Sequence, residues 1–301
     1  MSRALACFAL SAALLATPAF GQTPAPGKAG AKPKASLEQA LQAIDAQDFE
    51  KALALLAPLT DKGDPEALYL RGLLNESGKV HGASPEHAAA WYAKAAQAGS
   101  AKAQNNLGAM YYDGRGVALN LAQARLWYGR SAEQGNPQAQ LNYALMLGQG
   151  LGTDDPEKSR NAPAMLQWLL RAAGQGYMRA QVQLGRLYLV GAEGVPANMA
   201  EAVRWLRLAA EQDSAEAQYL LGVLLQKGEG VPRDLAAAIA WFERAAAGPP
   251  SPSMASANYE LGVIYELGLG TLADADRSAS YYRRAAAEGN PKAIAKLSPP
   301  K

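Results

Sequence analysis

The chain has 301 residues, 49% of them hydrophobic, enough to build one or two ordinary domains with cores of their own. Its 29 basic and 27 acidic residues give a formal charge of +2, which excludes neither an acidic nor a basic partner. The single cysteine excludes a disulfide framework or a zinc-thiolate cluster. Residues 1–21 read as a secretory signal: Arg3 is a short basic start, Ala4 to Ala16 an apolar core, and Ala19-Phe20-Gly21 a small-x-small cleavage site before Gln22. That core is too short for the ~20 residues of a spanning helix. Ala4-Leu5-Ala6-Cys7 lies too near the start to act as a lipid-attachment box. The expected mature chain is periplasmic or secreted, begins after Gly21, and has lost Cys7.

Residues 22–35 are Pro, Gly, Ala and Lys apart from Gln22 and Thr23, the composition of a disordered linker. Arg3, Lys28, Lys32 and Lys34 all precede the folded part, which keeps 25 basic against 27 acidic residues and so has no electrostatic case for nucleic acid. Ser36-Leu-Glu-Gln39 is a capping box. It predicts two short helices, about 37–46 and 49–60, as an N-terminal cap over 36–63.

From residue 64 the chain repeats, and the stretch Ser100–Gly135 shows the unit. Ala103, Leu107 and Tyr111 fall four apart on one helical face, the Gly114-x-Gly116 step breaks the helix, and a second stripe at Ala124, Trp127 or Tyr128, and Ser131 or Ala132 is closed by Gly135. Trp91, Trp127, Trp168, Trp205 and Trp241 are all the tryptophans, and Tyr281 takes the sixth place; the separations are 36, 41, 37, 36 and 40 residues. Gly72, Gly108, Gly222 and Gly262 stand nineteen residues before their aromatic, Gly185 stands twenty before, and Ala144 replaces the glycine in the third copy. An alanine follows five residues after each aromatic, from Ala96 to Ala286. A period in this range marks a helical solenoid. The units are 64–99, 100–135, 136–176, 177–213, 214–248 and 254–289, with a partial seventh at 290–297 as a capping helix and a tail at 298–301. Two insertions break the period, at Gly148–Pro163 and Gly248–Ser253. Both are expected as surface loops, the second also as a joint because its prolines forbid the usual turn. The aromatics are expected as knobs buried between helix pairs.

This pattern resembles the Sel1-like repeat family, a relative of the tetratricopeptide repeat with a longer loop between its helices. The residues that carry the resemblance are the Ala-x-Ala-Gln-x-x-Leu-Gly-x-x-Tyr run (Ala101 to Tyr111), the Gly-x-Gly-Val loops (Gly114 to Val117, Gly228 to Val231) and the Ala-x-x-Trp-Tyr/Phe-x-Lys/Arg-Ala-Ala run (Ala88 to Ala96, Ala238 to Ala246). The expected fold is all-α, an α-solenoid superhelix of about six such repeats with a tetratricopeptide-like N-terminal cap. Lacking cysteines, it departs from the cysteine-rich, disulfide-stapled branch of the family and must hold by packing.

Chemistry is not legible. His81 and His87, six apart, lack metal-site spacing, and no nucleophile elbow, zinc-protease or phosphate-loop motif occurs. The Gly-x-Gly loops follow no strand and recur with the period, so they are turn glycines. Lys94, Arg130, Arg171, Arg244 and Arg284, three residues after the aromatic, read as cations favoured by helix C-termini. No enzyme activity, cofactor or metal is expected.

The resemblance implies a scaffold. Family members serve as adaptors in envelope assemblies, in exopolysaccharide export, in regulating sensor kinases from the periplasm, or as secreted factors that meet host proteins. The expected function is a non-enzymatic adaptor or regulator of the bacterial envelope that binds a protein or peptide. The alternatives are a cell-wall glycan-binding module (peptidoglycan or exopolysaccharide) and a weak β-lactam or cell-wall hydrolase, an activity attributed to the cysteine-rich branch. By likeness to tetratricopeptide arrays, first helices line the concave side. The stripe opposite their packing face holds Glu66, Tyr69, Leu73 and Glu76 in repeat one, and Lys102, Asn105, Ala109 and Tyr112 in repeat two. In repeats four and five it holds Arg179, Val182, Arg186 and Leu189, then Glu216, Tyr219, Val223 and Gln226, while Tyr259 shares the position of Tyr69 and Tyr219.

Overall fold

The computed structural model describes residues 35–298. The signal sequence, the linker up to residue 34 and the last three residues lie outside the described residues. Within them the protein is an all-α helical-repeat solenoid, whose one extended pairing is an isolated bridge between Ala192 and Val195.

The chain divides into two compact units: residues up to Asn136 with Gly152–Asp154, and Pro137–Leu151 with Asp155 onward. In the first, helices α1 (Ala35–Asp45) and α2 (Phe49–Thr60) precede the pairs α3 (Pro65–Glu76)/α4 (Pro85–Gln97) and α5 (Ala101–Asp113)/α6 (Leu121–Glu133). Helix α1 starts one residue ahead of the expected capping box, so Ser36 lies inside it. The second unit holds α7 (Pro137–Gln149)/α8 (Ala162–Gly174), α9 (Met178–Val190)/α10 (Met199–Glu211), α11 (Ala215–Lys227)/α12 (Leu235–Ala246), α13 (Pro252–Leu267)/α14 (Ala275–Ala287) and α15 (Pro291–Leu297).

Caps in the sequence set most helix starts. Asp64, Ser84, Ser100 and Asn120 each accept a backbone N–H from the first turn of α3 to α6, as do Asn198, Ser214, Asp234 and Asp274 in the second unit; such a cap is worth roughly 0.5–2 kcal/mol. Part of the second insertion is absorbed into a helix. Ser251 caps a helix that opens on Pro252, and α13 runs 16 residues where α11 runs 13. Helices α12 and α13 pack as other successive helices do.

The pairs close on a notch and a knob. Gly108 lies in mid-α5, and a methyl group there would come within 2.8 Å of Tyr128 Cδ1. Gly222 meets Phe242, Gly262 meets Tyr282 and Gly185 meets Leu206 in the same way, and Gly72 meets Tyr92. In repeat three the notch is Ala144 and the equivalent knob is the smaller Leu169. The deepest ring is thus the residue after the tryptophan. Tyr92, Tyr128, Phe242 and Tyr282 are buried, whereas Trp91, Trp168, Trp241 and Tyr281 are half-buried, and only Trp127 and Trp205 lie under cover. This corrects the expectation that the whole tryptophan ladder is core.

Successive repeats are joined by buried amides. Gln104 Nε2 donates to the Ala96 carbonyl at 3.0 Å, Gln181 to Ala173 at 3.3 Å and Gln218 to Ala210 at 3.1 Å, which serves the C-terminal carbonyls that every helix leaves open. Two of their oxygens are used as well: Gln134 donates to Gln104 Oε1 and Gln212 to Gln181 Oε1, both at 2.7 Å. The Ala-x-Ala-Gln run is therefore a joint between repeats.

Candidate partner-binding face

Within each unit the first helices of neighbouring repeats touch: α3 meets α5, and α11 meets both α9 and α13. No two second helices make a comparable contact among the described residues. The first helices thus occupy the tighter side of each unit, and the predicted stripe lies along them.

Its residues fall into three groups. The outermost charges pair between repeats: Lys102 Nζ lies 2.9 Å from Glu66 Oε1, and Arg186 Nη1 lies 2.9 Å from Glu216 Oε1. These pairs are open to solvent and hold about 0–1 kcal/mol each. Arg179 is exposed. The tyrosines form a half-buried middle. Tyr69 lies 6.0 Å from the Tyr92 ring, Tyr219 lies 6.1 Å from Phe242 and Tyr259 lies 5.6 Å from Tyr282, so each covers a knob. Burial, with Glu66 and Glu76 nearby, pushes the Tyr69 hydroxyl up to about 12, so it stays a neutral donor. Asn105 is a correction: at the position of Tyr69 and Tyr219 it is only 3% exposed, and it is withdrawn from the face.

The fourth position of the stripe answers the knob. Glu76 accepts the Tyr92 hydroxyl at 2.6 Å and is held by Arg115 at 3.0 Å. Glu266, in repeat six, accepts from Tyr282 at 2.7 Å and pairs with Lys296 at 2.7 Å. Where the knob is Phe242 the residue is Gln226, and where it is Leu206 the residue is Leu189. Repeat two breaks this match, for Tyr112 stands before Tyr128, whose buried hydroxyl has no hydrogen-bond partner among the described residues.

Sequence reading missed a polar cluster on this side of the second unit. Glu260 on α13 is half-buried beside Gln226, with Lys292 and Lys227 near; burial raises its pKa, and the two lysines and the Gln226 bond oppose the rise. The second-helix cations Lys94, Arg130, Arg171 and Arg244 lie in the last turns of their helices, as expected, and each also lies over the aromatic of its own repeat. Lys94 sits 4.4 Å from the centre of the Trp91 ring, Arg130 4.8 Å from Trp127, Arg171 4.4 Å from Trp168 and Arg244 4.6 Å from Trp241. In repeat four Leu208 takes the usual cation position, and Arg204 covers Trp205 from the other side at 4.8 Å. Cation–π contact, worth ~0.5–1 kcal/mol when exposed, adds to the helix-dipole contribution at these positions.

His81 and His87 are exposed. Among the described residues no group of three or more His, Cys, Asp or Glu is arranged to hold a metal, and no helix is long and apolar enough to cross a membrane.

The Sel1 repeat profile matches residues 65–100, 101–136, 137–177, 179–214, 215–249 and 255–290. The chain belongs to the Sel1 repeat family. Among solved structures it is similar to c5321, a protective antigen of uropathogenic Escherichia coli with an SLR fold, at TM-score 0.79 and 28% identity over 87% of this chain and 55% of that one. A Sel1 repeat protein from Oxalobacter formigenes gives TM-score 0.69 and 31% identity over 83% of this chain and 96% of that one. Among curated proteins, chitin synthase regulatory factor 3 of Schizosaccharomyces pombe is 42% identical over 62 residues, 20% of this chain and 7% of that protein. The chain therefore spans about half of the c5321 chain and a small part of the yeast regulator. Sel1 repeat proteins are generally non-enzymatic protein-interaction scaffolds.

Proposed function

We propose that this Sel1 repeat chain is a non-enzymatic adaptor or regulator of the bacterial cell envelope that binds a partner protein or peptide along its first helices. One observation carries the reading. On that side the notches and knobs recur in nearly every repeat, while the outer positions change from Glu66 to Lys102, Arg179 and Glu216, and their ion pairs lie at least partly open to solvent. Such pairs exchange for partner contacts at little cost. The yeast relative is a regulatory factor by name, which agrees with a role exerted through another protein. The envelope assignment rests on the signal-like residues 1–21.

The test inverts the polarity of the face without removing its ion pair: Arg179→Glu together with the swap Arg186→Glu and Glu216→Arg. Crosslinking and pull-down from the native envelope should lose the captured partner, with helical content and denaturation midpoint unchanged. If capture survives that variant and fails instead when Arg130 and Arg171 are reversed, the second helices bind and the proposal is wrong. Cleavage after Gly21 is tested separately by intact mass of the periplasmic or released protein, since a chain there that retains Met1 refutes it.

A further inference from the structure

The second helices carry one site the repeat pattern does not explain. In three repeats the half-buried ring of the tryptophan row is met by a long side chain from its own first helix. Arg71 lies 4.1 Å from the Trp91 ring centre, Tyr143 meets Trp168 edge-on at 5.6 Å, and Tyr265 stacks on Tyr281 at 5.6 Å with an 8° interplanar angle. Tyr111 and Tyr188 share the apolar clusters of Trp127 and Trp205. In repeat five both positions are leucine, Leu221 where Arg71 and Tyr143 stand and Leu225 where Tyr265 stands, and both are too short to do this. A groove of about 770 Å³ opens there within the second unit, floored by Leu225, Val231 and Leu235 and walled by Trp241 of α12 and Arg207 of α10. Its loop is anchored: Gly230, at φ 73°, lies so close to α10 that a methyl group would come 2.5 Å from the backbone of Met199.

The next groove shows what fits. There Tyr265 fills the space, stacked on Tyr281, with its hydroxyl 3.2 Å from Arg277 Nη1 and 3.5 Å from Glu243. Glu243 of α12 occupies the position that Arg207 holds in α10, two residues after the tryptophan, and Arg277 occupies that of Ala237. The open groove is thus the same cast with the ring removed and the charge on its wall reversed. Arg207 is exposed and makes no ion pair among the described residues, and Arg233 at the rim spends only Nε, on the Gln226 carbonyl at 3.0 Å. The nearby carboxylate of Asp234 is committed to capping α12, accepting from Ala237 N–H at 2.9 Å. Two guanidinium groups therefore face the groove with unused donors, a geometry that suits carboxylates.

We propose that this groove docks a partner-protein segment in which an aromatic side chain is followed or preceded by an acidic one. The ring stacks on Trp241 as Tyr265 stacks on Tyr281, and the carboxylate takes the Arg207 and Arg233 donors. The site is separate from the first-helix face, so the chain holds one partner on each side and acts as a bridge.

The probe is a fluorescent, end-blocked Glu-Glu-Tyr-Glu peptide titrated into the full chain by anisotropy. Wild type should bind it below about 1 mM, and Leu225→Tyr, which rebuilds the neighbouring repeat's own filling, should weaken binding about tenfold or more. Arg207→Glu, an exposed substitution that leaves folding intact, should weaken it as much and should gain binding to a Lys-Lys-Tyr-Lys peptide. Absence of binding to wild type, or binding indifferent to both substitutions, overturns the proposal. So does light scattering that shows a dimer lost in Leu225→Tyr, which makes the occupant a second copy, or displacement of the peptide by an acidic oligosaccharide of equal affinity, which makes it a glycan.

Discussion

Tyr128→Phe should leave the protein as stable as the wild type or more stable, whereas the same change at Tyr92 or Tyr282 should cost stability. All three hydroxyls top a buried knob sixteen residues after the fourth position of the stripe. Tyr92 and Tyr282 give theirs to Glu76 and Glu266 at 2.6 and 2.7 Å, and a hydrogen bond to a charged group contributes about 1.5–3 kcal/mol. Tyr128 is 1% exposed and its hydroxyl has no partner among the described residues. Burial raises its pKa, so it stays neutral, and its desolvation costs about 1–3 kcal/mol that nothing in the fold returns. Removing the oxygen recovers part of that cost and leaves a void of one atom, so a gain of about 0–1 kcal/mol is expected. Repeat five already uses the phenyl ring at this place, as Phe242. Urea unfolding followed by circular dichroism reads the difference, comparing whole curves because repeat arrays depart from two-state behaviour. A loss above about 1 kcal/mol for Tyr128→Phe, or none for Tyr92→Phe, refutes the reasoning.

Trp127→Ala should cost about 3–5 kcal/mol, since the indole is 8% exposed, and half-exposed Trp241→Ala should cost distinctly less; equal losses in urea titrations would show that exposure does not rank these rings. Gly108→Ala drives a methyl group to 2.8 Å from Tyr128, so it should destabilise by about 1–3 kcal/mol despite the gain in helix propensity, and adding Tyr128→Leu, the pairing that Ala144 and Leu169 use, should restore much of the loss. Glu260→Gln should raise the unfolding midpoint at neutral pH. The folded-state pKa lies above the ordinary 4.5, so ionisation opposes folding, and the advantage should shrink as pH falls through the raised folded pKa towards 4.5; an advantage that grows on acidification contradicts this sign.

The fold was legible because a helical repeat states its rule many times over. The tryptophan spacing gave the register of every helix pair, yet it misjudged depth. Adjacent helical residues such as Trp127 and Tyr128 point about 100° apart, and when both are apolar the pattern alone does not say which enters the core. The notch held the missing clue, because Tyr, Phe or Leu faces a glycine while Leu169 faces Ala144. The cation ladder carried a similar signal in repeat four, where Arg204 precedes the ring because Leu208 follows it. The pairs Lys102–Glu66 and Arg186–Glu216 were beyond sequence reasoning, since they join residues thirty or more positions apart and depend on how consecutive first helices are offset. The open groove was illegible for the same reason: Arg207, Leu225 and Trp241 come from three helices, and only their packing shows that the Tyr265 equivalent is missing.

That packing also divides the first-helix stripe into residues free to recognise a partner and residues bound to the fold. The fourth position changes between repeats, from Glu76 to Tyr112, Leu189, Gln226 and Glu266, but in four of these five it changes in step with the knob behind it. Its variation is therefore compensation within a repeat, not a record of what the face binds. The second position is likewise tied, since Tyr69, Tyr219 and Tyr259 each cover a ring. Glu66, Lys102, Arg179 and Glu216 touch no knob, and those that pair do so only across solvent-exposed gaps. Charge at this first position changes between neighbouring repeats, Glu66 to Lys102 and Arg179 to Glu216, while Gln138 and Ser256 take it in repeats three and six. The selectivity of the face for one partner should therefore reside in this row, and substitutions there should move binding while leaving stability nearly untouched.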